Sequence, residues 1–212
     1  MNSNSIGCIA YRGQRLLDLA GTGIACLVFA PLAVVITLAI WIEDRSSPFF
    51  TQTRIGARRT TFCILKFRTM REGVVTRMGR WLRRTGLDEL PQFVNVCRGE
   101  MSIVGPRPLT LDDITRLQWY TAQHDWRFSM RPGITGLAQL AGGRSARHSA
   151  RLDQLYLRRR AAALDARIIA LSFLINIAGK RLVRRWIRRS PHAPRSRTVH
   201  AVDRDETPAR MT

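Results

Sequence analysis

Residues 19–42 read LAGTGIACLVFAPLAVVITLAIWI, and no charged side chain interrupts them. As a helix rising ~1.5 Å per residue, this run reaches ~36 Å, longer than the ~30 Å hydrocarbon core of a bilayer. Length alone makes it a membrane helix. A cleaved leader does not fit, because the run is too long and lacks a small-residue cleavage site before a mature domain. Pro31 stands at its middle, where the missing backbone donor bends or breaks a helix. Divided there, each arm is ~18 Å long, past the midplane but short of crossing. Arg12 and Arg15 precede the run; Arg45, Arg54, Arg58 and Arg59 follow it. Basic flanks stay in the cytoplasm. A hairpin entering and leaving by one face keeps both flanks there, whereas a straight span carries two arginines across. Membrane helices tolerate proline, so both readings stand at this level, and the flanks favour the re-entrant one.

Outward from the run, the pattern is α+β and mainly helical: a monotopic membrane protein with an N-terminal re-entrant helix, a small globular region and interfacial amphipathic helices. The expected division is an interfacial segment (1–18), a helix–break–helix (19–42) and a globular domain carrying the candidate catalytic residues (43–140). Interfacial helices (141–189) and a disordered tail (190–212) follow. SPFFTQTRIG and TFCILKFRTM have the β-branched and aromatic content of two short strands. MGRWLRRTG predicts a basic helix with Met78, Trp81 and Leu82 on one side. Pro91 suits the first turn of a helix through QFVNVC, which puts Asp88 and Glu89 at its start. Asp113–Met130 reads as one further helix, closed by Arg131-Pro132-Gly133. Near the end, Leu182, Val183, Trp186 and Ile187 share one helical face opposite five arginines, the pattern of a helix on an anionic membrane.

The formal charge is +20, and of 35 basic residues only Lys66 and Lys180 are lysines. So basic a chain suits anionic lipid, nucleic acid or phosphorylated substrates. A nucleic-acid-binding protein has no use for residues 19–42, and no DNA or RNA recognition motif is present. The four cysteines and four histidines are scattered without metal-ligand spacing, which argues against a disulfide scaffold or zinc site and fits a reducing compartment.

The chemistry gathers in TGLDELPQFVNVCRGEMSIVGPRP, residues 85–108. Adjacent carboxylates at a helix start are ordinarily caps that complement its free N–H groups. Asp88 and Glu89 allow that reading and a catalytic one. Lys66, Arg68, Arg83, Arg84 and Arg107 supply cations for phosphate, and among them a carboxylate stays ionised, as a nucleophile or Mg²⁺ ligand must. Arg107 is flanked by Pro106 and Pro108, whose fixed φ holds its planar fork on stiff, extended backbone. An aspartate attacking phosphorus divides one displacement into two.

QRLLD, the proline-interrupted run, SPFFTQTRIG, KFRTM, LRRTGLDELPQ, GEMSIVGPRP and RPGITGLAQL, in this order, resemble the bacterial sugar transferases, or monotopic phosphoglycosyl transferases. The resemblance covers roughly residues 12–178. It implies an enzyme on the cytoplasmic face of the bacterial inner membrane. The family moves a sugar 1-phosphate from a UDP-sugar to undecaprenyl phosphate and releases UMP, at the start of surface-glycan synthesis. Asp88 matches the nucleophile, Glu89 completes the dyad, and Mg²⁺ sits beside Asp88. Lys66, Arg68, Arg83, Pro106, Arg107 and Pro108 match positions around the phosphates. Arg15 and Asp18 match a membrane-interface motif, and Pro31 the helix break. Three departures stand out: Gln14 where a basic residue is usual, Ala30 before Pro31 in place of serine, and AGGRSARHS in place of an asparagine-rich turn. The intact dyad and PRP loop imply an active enzyme; the alternative within the family is an inactive membrane-tethered scaffold.

Overall fold

A computed structural model describes residues 10–11, 13–142 and 145–178. Arg12, the amphipathic segment around 181–189 and the tail from Ser190 lie outside the described residues. The apolar run is the body of one helix, α1 (Gln14–Asp44). The expected interruption at Pro31 is not a gap, because the helix continues through the proline. Its missing N–H removes one bond of the ladder, and the bonds on either side carry the helix past it.

α1 is fastened at both ends to the same globular body. Near its start, Arg15 donates to the carbonyls of Val96 (2.6 Å) and Cys97 (2.9 Å), and Asp18 accepts from Ser102 Oγ (2.9 Å) and the Ile103 amide (3.0 Å). Near its end, Ile36 and Ile40 pack on Phe67 and Leu82, and Glu43 accepts the amides of Arg77 and Met78. No residue from 23 to 35 is buried. Leu27 at 81% and Ile24 at 67% exposure leave the first half of this stretch apolar and bare, whereas Leu32 and Ala33 pack against the Ile36–Leu82 cluster.

β1 (Phe49–Ile55) and β2 (Thr61–Phe67) form an antiparallel hairpin in register Phe49↔Phe67 to Ile55↔Thr61, as the two β-rich segments predict. A small ribbon, β3 (Met70–Arg71) with β4 (Val74–Val75), leads into α2 (Arg77–Thr85). Thr76 caps α2 through the Gly79 amide, and Gly86 at φ 73° ends it. Gly79 is required by contact: a Cβ there would stand 2.1 Å from the Thr69 carbonyl oxygen. Leu82 is fully buried, which contributes about 1.5–3 kcal/mol. Trp81 stays exposed, facing an apolar groove with Leu32, Val35 and Ile36 of α1.

α3 (Gln92–Arg98) follows Pro91, and β5 (Ser102–Val104) pairs in parallel with β6 (Gly133–Thr135). The helix expected over Asp113–Met130 is interrupted. Only α4 (Leu111–Arg116) and α5 (Asp125–Phe128) are α-helical, with Gln118 at φ 55° between them. The break lets Trp119 bury beside Leu109, Ile114 and Phe128, while Arg59 takes up the freed carbonyls of Trp119 and Thr121. After α6 (Leu137–Ala141), α7 (Ala146–Arg159) and α8 (Ala162–Ala178) each bury one face, through Asp153, Tyr156, Asp165, Ile168 and Ile175. The outer face of α8 exposes Ile169, Phe173 and Leu174.

Candidate active site

Four separate elements converge on the dyad. Asp88 and Glu89 occupy a 3₁₀ turn, Leu87–Glu89, wedged between the ends of α2 and α3. Neither serves as a cap: the capping positions are Gly86 and Pro91, and no side-chain cap bond is made at either. Leu87 and Leu90 bracket the pair and pack into the Leu82–Phe67 cluster, so the carboxylates are held at the edge of a core. From β2, Lys66 Nζ reaches Glu89 Oε1 at 2.7 Å. From α2, Arg83 Nε donates to Thr69 Oγ1 at 2.9 Å, and its charge acts on Asp88.

Burial raises the Asp88 pKa above the ordinary carboxylate range, and the Glu89 charge adds to this; Lys66, a bond from Asp88's own backbone N–H and Arg83 oppose it. The sequence predicts that cations dominate. In the structure they only offset desolvation, because half-burial removes much of the water that would stabilise the charge. A carboxylate of raised pKa is a stronger base than an exposed one.

The PRP loop is held by β1, β6 and α5. Pro106 and Pro108 are buried and Arg107 between them is exposed. Gly105 makes the loop possible: a Cβ there would lie 2.5 Å from the Arg131 carbonyl oxygen, so GPRP and RPGITG stack backbone on backbone. Arg54 of β1 donates to the Pro108 carbonyl at 3.3 Å and lies 3.6 Å from Asp113. The charge of Arg107 lowers its pKa beyond what burial does, while Asp113 and Glu89 support its charge.

The structure thus brings Asp88, Glu89, Lys66 and Arg83 together, and Arg54 feels the charges of both Glu89 and Arg107. The Arg68 guanidinium is engaged elsewhere, donating to Ser46 Oγ, and Arg84 is exposed. Arg15 and Asp18, expected at the membrane interface, are bonded into the protein as described above. Pro31 is exposed within α1.

Sequence reasoning missed Asn95, Arg54 and Arg127. Asn95, on α3, is fully buried and replaces a missing strand beside β2: it accepts from the Leu65 amide (3.1 Å) and donates to the Cys63 carbonyl (2.8 Å). Its position in QFVNVC, a polar residue inside an apolar helix, was the available signal. No cluster of three or more potential metal-ligand side chains occurs among the described residues. Two adjacent carboxylates suit a cation that draws its remaining ligands from phosphate and water, as Mg²⁺ does.

A family model described as bacterial sugar transferase matches residues 9–179. The UDP-glucose:undecaprenyl-phosphate glucose-1-phosphate transferase of Caulobacter vibrioides is 40% identical over 168 residues, covering 71% of this chain and 60% of that protein. An undecaprenyl-phosphate glucose phosphotransferase of Komagataeibacter xylinus is 36% identical over 190 residues, 75% of this chain and 35% of its own length. EpsL of Bacillus subtilis, an uncharacterized sugar transferase, is 34% identical over 205 residues, 90% of this chain and 97% of its own. The chain therefore spans less than two thirds of the first two relatives and nearly all of the third. With a match running through α1, the dyad, the PRP loop and α8, the chain belongs to the bacterial sugar transferase family.

Proposed function

We propose that the protein transfers a sugar 1-phosphate from a UDP-sugar to undecaprenyl phosphate, with release of UMP, through a phosphosugar carried on Asp88. The observation that carries this reading is the Asp88 carboxylate: half-buried, free of capping duty, raised in pKa, and faced by Lys66 and Arg83. The reaction named for the Caulobacter and Komagataeibacter relatives supports the choice of substrates.

In the first half-reaction an Asp88 oxygen attacks the phosphorus that bears the sugar. The bond from that phosphorus to the bridging oxygen breaks, and the oxygen leaves with UMP. In the second, a phosphate oxygen of the lipid attacks the same phosphorus and the Asp88 carboxylate departs, leaving the sugar on a lipid diphosphate. Splitting the displacement lets one site serve a soluble donor and a membrane acceptor in turn. Lys66 and Arg83 oppose charge build-up at the attacking side, and Arg107 offers its fork to the phosphate oxygens. Asp88 and Glu89 would hold Mg²⁺ together with the donor's phosphates. When bound, the ion neutralises charge on those phosphates.

We read α1 as re-entrant, with both ends on the cytoplasmic face of the bacterial inner membrane. Fastening of both ends to one body, with Ile24, Leu27 and Val28 exposed between them, supports this. Anionic lipid is the partner of the basic surface, and nucleic acid is not. The enzymatic test is a wild-type and Asp88→Asn comparison with radiolabelled UDP-sugar and no lipid. The wild type should retain hydroxylamine-labile label and release UMP, and the variant should do neither. Equal labelling in Asp88→Asn moves the nucleophile elsewhere.

A further inference from the structure

Arg107 sits on a loop that cannot hold itself. Pro106 and Pro108 have no N–H, so their carbonyls and that of Arg107 are the main handles by which the loop can be fixed. Four consecutive carbonyls are taken up by donors from three elements. Pro106 O accepts from the Gly133 amide of β6 at 2.9 Å, and Leu109 O from the Ile55 amide of β1 at 2.9 Å. Pro108 O accepts from Arg54 Nη1 at 3.3 Å, and Arg107 O from Arg127 Nη2 at 2.9 Å. The outer two are backbone bonds available to any sequence. The inner two come from side chains, and the one on Arg107 itself belongs to Arg127.

Arg127, on α5, is in turn held by Asp153 on α7, Nε to Oδ2 at 3.1 Å, with side chains only 6% and 3% exposed. A buried ion pair is a poor device for stability alone, since apolar side chains of similar size commonly do as well or better. Burial indeed pushes the Asp153 pKa up and that of Arg127 down, against their mutual attraction. What apolar replacements could not supply is the second arm of the fork, which spans from Asp153 to the Arg107 carbonyl.

We propose that Arg127 and Asp153 are positioning residues for the reaction: through the Arg107 carbonyl they fix the backbone from which the Arg107 guanidinium reaches the phosphates. The pair links α7, outside the dyad and the PRP loop, to the geometry of phosphate binding. This rests on the reading of Arg107 as a phosphate ligand.

Two sets of variants test it in the full-length protein in native membranes or detergent. Arg127→Lys keeps the charge beside Asp153 but has no second arm. Arg127→Met with Asp153→Leu removes the buried charges together, which preserves folding where either single change would strand its partner. Each should lower kcat/KM for UMP release at least tenfold, with a melting temperature within a few degrees of wild type for Arg127→Lys. In the Arg127→Lys background, Arg107→Lys should cost less than threefold further, against tenfold or more in wild type, because the aim is already lost. A general structural defect would leave that second factor undiminished. Wild-type kinetics in Arg127→Lys, or full additivity with Arg107→Lys, overturns the proposal. UDP serves as a binding probe independent of turnover: its thermal stabilisation of the protein should shrink in Arg127→Lys. A wild type that is stabilised by UDP but releases no UMP from any UDP-sugar would sink the reaction while leaving the pair testable by that shift.

Discussion

Replacing Asn95 with alanine should loosen the site from behind. The Asn95 amide is fully buried and satisfies the Leu65 N–H and the Cys63 carbonyl on the side of β2 that faces away from its partner strand. It also donates to Glu100 at 2.7 Å, but Glu100 can turn to water. Two backbone groups are then stranded, at about 1–3 kcal/mol each, or roughly 2–6 kcal/mol before any cavity cost. For a protein of this size, with ~2–4 °C per kcal/mol, the melting temperature should fall by at least ~4 °C. Lys66 adjoins Leu65, so kcat/KM should fall as well, even at temperatures where the variant is folded. Asn95→Asp should be worse at neutral pH, since it keeps the bond from Leu65 but sets a second carboxylate against Glu100. The assays are thermal unfolding followed by tryptophan fluorescence and UMP release at a temperature well below the transition. A shift under 2 °C with unchanged kinetics would show that another group holds β2, and the argument would fail.

Asp88→Asn should match or exceed wild-type stability at pH 7. A raised folded-state pKa favours the protonated form, whose advantage is full below the unfolded Asp value of ~3.9 and is lost as pH rises through the folded pKa. Asparagine mimics that form at every pH, so the difference should vanish in acid, and denaturation at pH 7 and pH 3.5 checks this. UMP release needs ionised Asp88, so its acid limb should lie above the ordinary aspartate range. Lys66→Met should move the limb up and Glu89→Gln should move it down, because Lys66 lowers and Glu89 raises the Asp88 pKa; limbs shifting the same way would contradict the assignment. Arg107→Lys should cost about ten- to a hundredfold in kcat/KM, the equivalent of ~1.5–3 kcal/mol for a charged hydrogen bond. Single cysteines at Ala10 and Ser47, in a cysteine-free background, should both be shielded from an impermeant reagent in intact cells, and labelling of one alone would establish a span.

The two strands, the helix after Pro91 and the apolar helix were legible because each is a local pattern: alternation, a proline at a first turn, an uncharged run. The dyad was legible as chemistry but not as environment, since half-burial of Asp88 comes from Leu87 and Leu90 packing on residues far away in sequence. Asp113–Met130 misled for a related reason. Its helical propensity is overridden across residues 117–124, where Trp119 turns in to bury beside Leu109 and Phe128. Asn95, Arg54 and Arg127 were hidden because their partners are backbone groups 20–54 residues distant, and backbone carries no sequence signal.

α3 has one further consequence. It starts three residues after Glu89, and carbonyls in its last turn are held by Arg15 at the foot of the apolar helix. Seven residues at ~1.5 Å each make a strut of roughly 10 Å between the apolar helix and the dyad. Under the function proposed above, the strut acts as a ruler: the depth at which a lipid phosphate would be met is counted in residues. One residue more or fewer would shift the dyad by ~1.5 Å and swing it by ~100° about the strut, which turns a question about membranes into one about helix arithmetic.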